Sequence, residues 1–208
     1  MTRSPVPLPH AATLTLTGWP RKHERGLLVG GLLVRTTHPV TDVPTHRVTV
    51  IAYPQTTPDG CLISLQTQAN RVRKARGSNA VQLRVVGHLI RIDGTSGTVQ
   101  IQVYPSMSSV PPFRITLQAT GAVLAFDPST FAVSITGRVL HAGGRVMLLA
   151  ETIEAVHAPV PERWANWKPK RGYGRAIKRS KDRATEVTSP AETPTALTAP
   201  LSSTPHEP

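Results

Sequence analysis

VQLRVVGHLIRIDGTSGTVQIQV, residues 81–103, decides the fold class. Val81, Leu83 and Val85 alternate with Gln82 and Arg84, the two-residue period of a half-buried strand. DGTSG (93–97) is turn chemistry, because Gly94 and Gly97 reach positive φ without steric cost. Alternation resumes with Val99, Ile101 and Val103. It slips after Gly87, where Leu89 is followed by Ile90 and Ile92. A glycine at a change of phase predicts a bulge or a sharp bend.

A similar unit follows at FAVSITGRVLHAGGRVMLLA (131–150). Val81, Leu83, Val85, Gly87 and Leu89 align with Phe131, Val133, Ile135, Gly137 and Val139 at a constant offset of 50. LTLTG (14–18) is a fainter third echo of the same apolar-x-apolar-x-Gly start. A lone hairpin cannot bury its own apolar face, so these units are expected to pack on one another.

Outward from this core, further strands are expected at about 12–18, 27–36 (with a weak point at Gly30-Gly31), 46–53, 62–68, 113–119 and 121–126. Residues 69–80, ANRVRKARGSNA, fit a short helix or a basic loop. No segment before residue 160 carries a long helical period. Aliphatic and β-branched residues predominate, and there are three each of Phe, Trp and Tyr. The reading is all-β: an OB-like barrel with a second, partial OB-like β unit, then a basic extension and a disordered tail. The expected boundaries are an arm at 1–10, a β domain at 11–158 (subunits 12–104 and 113–157), an extension at 159–183 and a tail at 184–208. The tail is rich in Pro, Thr, Ser and Ala and has too few core-forming residues to offset the entropy of ordering.

The net charge of +12 is unevenly distributed. Residues 1–162 carry 15 Lys/Arg against 8 Asp/Glu, residues 163–183 carry 9 against 1, and residues 184–208 carry 0 against 3. A basic body with a short, strongly basic appendage is the profile of a polyanion binder. Cys61 is the sole cysteine, which rules out an intrachain disulfide and fits a reducing compartment. MTRSPVPLPH lacks the apolar core of a signal peptide, and the longest apolar run, 26–34, is too short to span a bilayer. A cytoplasmic, nucleoid-associated protein with no membrane partner is expected.

RVTVIAY (47–53), a helix-or-loop segment, then AVQLRVVGHLIRID and GTVQIQV resemble the second half of bacterial single-stranded DNA-binding proteins. There a V-x-G-x-L strand, here Val85, Gly87 and Leu89, leads into the last barrel hairpin. SITGRVL (134–140) carries a similar pattern. The resemblance covers residues 12–104, with an echo in 113–156. It implies an OB barrel that binds unpaired DNA in genome maintenance, replication or repair. This chain ends TPHEP, where that family carries an acidic tail with a terminal Pro-Phe, and it has fewer aromatics on its strands.

No catalytic motif is present. The eight histidines have no Cys or His neighbours at zinc-ligand spacing, and no Gly-rich loop runs into Lys-Ser/Thr. The expectation is a non-enzymatic protein with no metal and no cofactor.

Four groups fit nucleic-acid binding, where cations hold phosphates and aromatics stack bases. The first is Trp19 with Arg21, Lys22 and Arg25. The second is Arg71, Arg73, Lys74 and Arg76, four cations in six residues. The third is a polar strand face that includes Arg84, His88, Gln100, Gln102, Arg114, Gln118 and Arg138. The fourth is the extension, with Trp164, Trp167, Lys168, Lys170, Arg171, Tyr173, Arg175, Lys178 and Arg179. Each group also has a plainer reading: a core tryptophan, a solvated basic loop, a solvated sheet face, or an extension that docks on an acidic protein. The expected ligand is single-stranded nucleic acid, DNA in the first place. The alternatives are an RNA- or ribosome-associated protein, or a structural module whose extension docks on a partner. Exposed strand edges leave room for a homo-oligomer.

Overall fold

A computed structural model of the chain describes residues 6–36, 42–78, 80–106, 110–127 and 131–167. Residues 1–166 form one compact unit, and residues 167–208 belong to a second. The expected disordered tail lies outside the described residues.

The first unit is almost entirely strand. In chain order these are β1 (Ala11–Gly18), β2 (Arg21–His23), β3 (Gly26–Val29), β4 (Leu32–Thr36), β5 (Val48–Thr56), β6 (Leu62–Thr67) and β7 (Val72–Lys74). They continue as β8 (Ala80–Asp93), β9 (Thr98–Val103), β10 (Phe113–Ala119), β11 (Ala132–Ala142) and β12 (Arg145–Ala155). The hairpin read at 81–103 is β8–β9, and its slip after Gly87 is a bulge between Leu89 and Arg91. Gly30 and Gly31, both at positive φ, turn the chain between β3 and β4.

The last five strands close a ring. β8 pairs with β9, β9 with β10, β10 with β12, β12 with β11, and β11 returns to β8. Only β10–β12 is parallel. The earlier strands follow the same order. β2 pairs with β3, β3 with β4, β4 with β6 in parallel, β6 with β5, and β5 with β1. That ring closes covalently, because β1 runs into β2 through Trp19-Pro20. Proline cannot donate to a ladder, so β1 and β2 read as one first strand broken at Pro20. The long β8 is its counterpart, bulged at the same place.

Equivalent positions in the two rings are buried alike. Leu14 matches Leu83, Leu27 matches Val99, Val34 matches Leu117, Val50 matches Ile135, and Leu65 matches Leu148. The rings join along β1–β8, antiparallel, with Leu14 opposite Leu83. Since those two leucines are equivalent, a local two-fold axis passes between them. Buried aliphatics of both rings form one continuous cluster.

Three expectations change. Hydrogen bonding groups the strands as 11–67 and 80–155, where a division into 12–104 and 113–157 was expected; β8 and β9 need β10, β11 and β12 to close. The offset-50 similarity joins neighbours within one ring, since Gly137 of β11 lies opposite Leu83 of β8. The fainter echo, Leu14, Leu16 and Gly18 against Leu83, Val85 and Gly87, is the structural repeat. Residues 121–126 form no strand: Gly121–Leu124 is one helical turn that buries Val123 in the core. β10 and β12 are parallel neighbours, so the chain must cross over after β10. A short helix makes that crossing, with Thr120 N–H donating to Ala150 O at 3.1 Å.

The two rings also meet at the β5–β6 tip. Thr116 N–H of β10 donates to Thr56 Oγ1 at 2.9 Å, and Gln118 Nε2 donates to Asp59 O at 2.9 Å. Arg145 reaches Asp59 Oδ2 at 3.7 Å. β10 pairs with β12 only at Gln118 and Ala119, and the tip occupies the gap they leave.

Candidate nucleic-acid interface

The first strand of the N-terminal ring ends in Gly18, Trp19 and Pro20. Trp19 is 61% exposed, although an indole of its size ordinarily contributes to a core. It sits outside because residues 14 and 16 of β1 face the interior, and alternation puts 17 and 19 on the other side. Arg21 and Lys22 on β2, and Arg25 in the turn to β3, are exposed beside it in sequence. Arg25 is held by Glu24 at 3.2 Å, on the surface.

Register brings the next basic group to this end. Gly18 pairs with Val48, and Val48 pairs with Lys74. Trp19 and Arg47 are therefore the next residues beyond the ladder on β1 and β5. Lys74 lies about 10 Å from Gly18, two strand spacings away. Arg73 and Arg76 are exposed on and after β7. Arg71, half-buried in a 3-10 turn, has its Nε enclosed without a hydrogen-bond partner. The expected helix or loop at 69–80 is thus a turn and a short strand added to the edge of β5. The register thus sets Trp19 and Lys74 two strand spacings apart at one end of this ring; Arg21, Lys22 and Arg25 follow Trp19 in sequence, and Arg71, Arg73 and Arg76 flank Lys74.

The polar strand face divides. Arg84 lies opposite Thr13 and Thr136, and Arg138 follows Thr136 on β11. They share the outer sheet face with Arg73 and with the hydroxyl pairs Thr17–Thr49 (3.0 Å) and Thr136–Thr152 (2.7 Å). Arg138 is paired with Glu151 at 2.7 Å, which reduces its value as a phosphate contact. Arg114 stands apart on β10, its Nε donating to Gln102 Oε1 at 3.3 Å. Gln102, expected to face outward, is buried and donates through Nε2 to Phe113 O at 3.0 Å. Ring closure encloses it.

The extension begins as a strap on the C-terminal ring. Trp164 is half-buried, and its Nε1 donates to Pro105 O at 3.0 Å; Arg163 Nη2 reaches the same carbonyl at 3.0 Å. Trp167 is half-buried and the last described residue. Lys168, Lys170, Arg171, Tyr173, Arg175, Lys178 and Arg179 lie outside the described residues.

One cluster had no signal in the sequence. His10, His88 and Tyr104 come together with ring centroids 5.1 to 5.5 Å apart. Both imidazoles address one acceptor: His10 Nε2 lies 2.9 Å from Ala158 O and His88 Nε2 3.3 Å from it. Burial lowers the His10 pKa below 6.5, and the neighbouring His88 adds to this against the opposing pull of the Ala158 and Pro159 carbonyls. Seventy-eight residues separate the two histidines, so only the closed ring reveals them as neighbours.

Among the described residues, no three or more His, Cys, Asp or Glu side chains gather as a metal site. No protein-family model matches the chain, and no curated protein sequence matches it.

Proposed function

We propose that each ring is an OB-like module and that the protein binds single-stranded nucleic acid, DNA in the first place, without catalysing a reaction. The observation that carries this reading is the exposed Trp19 beside the cations of β2, the β2–β3 turn and β7. An exposed indole gives an unpaired base a face to stack on, and the surrounding guanidinium and ammonium groups neutralise phosphates. In OB folds, oligonucleotides meet the loop between the first two strands, and here that loop is His23 to Gly26. The basic run after Trp167 adds affinity through counterion release, with little sequence choice. Protection of unpaired strands in replication or repair is the corresponding role.

The test compares a long single strand with the same sequence as duplex, at one salt concentration. The single strand is expected to bind more tightly, since a paired base cannot offer its face to Trp19. Equal or tighter duplex binding overturns the proposal.

A further inference from the structure

The two rings end differently. Gly18 and Gly87 are equivalent: a Cβ on Gly18 would face Val29 and Gly30, and a Cβ on Gly87 would face Ile101 and Gln102, the matching residues of β3 and β9. The residues that follow are Trp19 and His88. Trp19 is open to solvent. His88 is half-buried, its ring against His10 and Tyr104, beneath the segment that leaves β12.

We propose that the His88 end of the C-terminal ring is a second single-strand site, held shut by residues 156–164 and opened by the strand it binds. This rests on the single-strand reading above. Three features of the described residues support it. Beside the covered end an open groove of about 470 Å³ lies between the N-terminal arm and the strap, lined by Leu8, His10, Tyr104, Pro159, Pro161 and Glu162 among others. Its planar rings and proline faces suit a nucleobase inserted edge-on or stacked. Donation from His10 Nε2 to Ala158 O fixes the tautomer, so Nδ1 is an acceptor. That nitrogen is enclosed without a partner, on a side chain only 3% exposed. A base N–H is a donor of the kind it lacks.

The cover is also lightly attached. Its polar ties are Leu8 N–H to His157 O (2.9 Å), Val156 N–H to Ala132 O (3.0 Å), the two imidazoles on Ala158 O, and Arg163 and Trp164 on Pro105 O. In sequence the strap continues into the basic run. A site closed for most of the time binds with an affinity lowered by the fraction closed. The second site is therefore the weaker of the two.

The experiment titrates the full chain with a short thymidine oligonucleotide, too short to occupy both ends. Two events are expected. Trp19→Ala weakens the tighter event and spares the weaker. His88→Ala abolishes the weaker event. Trp164→Phe removes one tie of the strap without touching the lining residues and strengthens the weaker event about fivefold, as loss of one hydrogen bond implies. Hydrogen exchange on the unaltered chain covers the case of a variant that does not fold: saturating oligonucleotide should speed exchange at the Leu8 and Val156 amides. A single event indifferent to His88, with unchanged exchange at both amides, overturns the second site and leaves the single-strand reading standing. Absence of any binding defeats that reading itself.

Discussion

Gly18 and Gly87 occupy the same place in two copies of one ring, yet they should respond differently to the same added methyl group. An alanine Cβ at position 87 would lie 2.5 Å from Gln102 O and 2.6 Å from Ile101 Cγ2. The first is a backbone atom of a strand paired on both sides, so β9 cannot withdraw without loosening its ladders to β8 and β10. At position 18 the nearest neighbours are Gly30 N at 3.4 Å and Val29 Cγ1 at 3.6 Å, ordinary contact distances beside a flexible turn. Overpacking of a closed core costs about 1–3 kcal/mol. For a chain of this length that is a fall of about 2–12 °C in melting temperature. Gly18→Ala should stay within about 0.5 kcal/mol of the parent, and loss of unfolded-state freedom could raise its stability. The assay is thermal and urea unfolding of both variants, followed by circular dichroism at one pH and salt. Equal melting of the two variants would refute the reasoning, because the close approach of β8 to β9 distinguishes them.

Trp19→Ala should leave stability within about 0.5 kcal/mol, as the side chain is mostly exposed, while single-strand binding weakens by about 1–3 kcal/mol; fluorescence titration beside a melt checks both. His10, its pKa lowered on folding, takes up a proton more readily when unfolded. Its contribution is thus complete above the ordinary value of 6.5 and is lost as pH falls below it, by at most about 1.4 kcal/mol per pH unit. Urea midpoints at descending pH should show the loss, and His10→Phe should flatten it. Ending the chain after Trp167 should weaken single-strand and duplex binding by a similar factor and lower the slope of log affinity against log salt by about 0.7 per lost contact on a single strand. Loss of strand preference in that truncation would move the binding site into the extension. Removing only residues 184–208, which carry three acids and no Lys or Arg, should leave affinity unchanged or slightly higher.

Much of the β structure was legible in the sequence because its causes are local. Alternation at 81–85 and 99–103, the DGTSG turn and the Gly30-Gly31 break each depend on the residues themselves. The clustering of charge in 163–183 is likewise a property of composition. Which strands are neighbours was not legible, because pairing depends on residues far apart in the chain. An apolar-x-apolar-x-Gly pattern suits any coiled strand of a small ring, so the strongest sequence similarity, at an offset of 50, linked two neighbours in one ring. The weaker one, LTLTG, marked the true repeat. Residues 121–126 carry strand-forming Val, Leu and Phe, yet they form a helical turn because a parallel β10–β12 pair requires a crossover there. The convergence of Trp19 with Arg73 and Lys74 follows from the β1–β5–β7 register, and the meeting of His10 with His88 follows from ring closure. Local chemistry determined the strands and the charge; long-range hydrogen bonding decided which side chains share a surface.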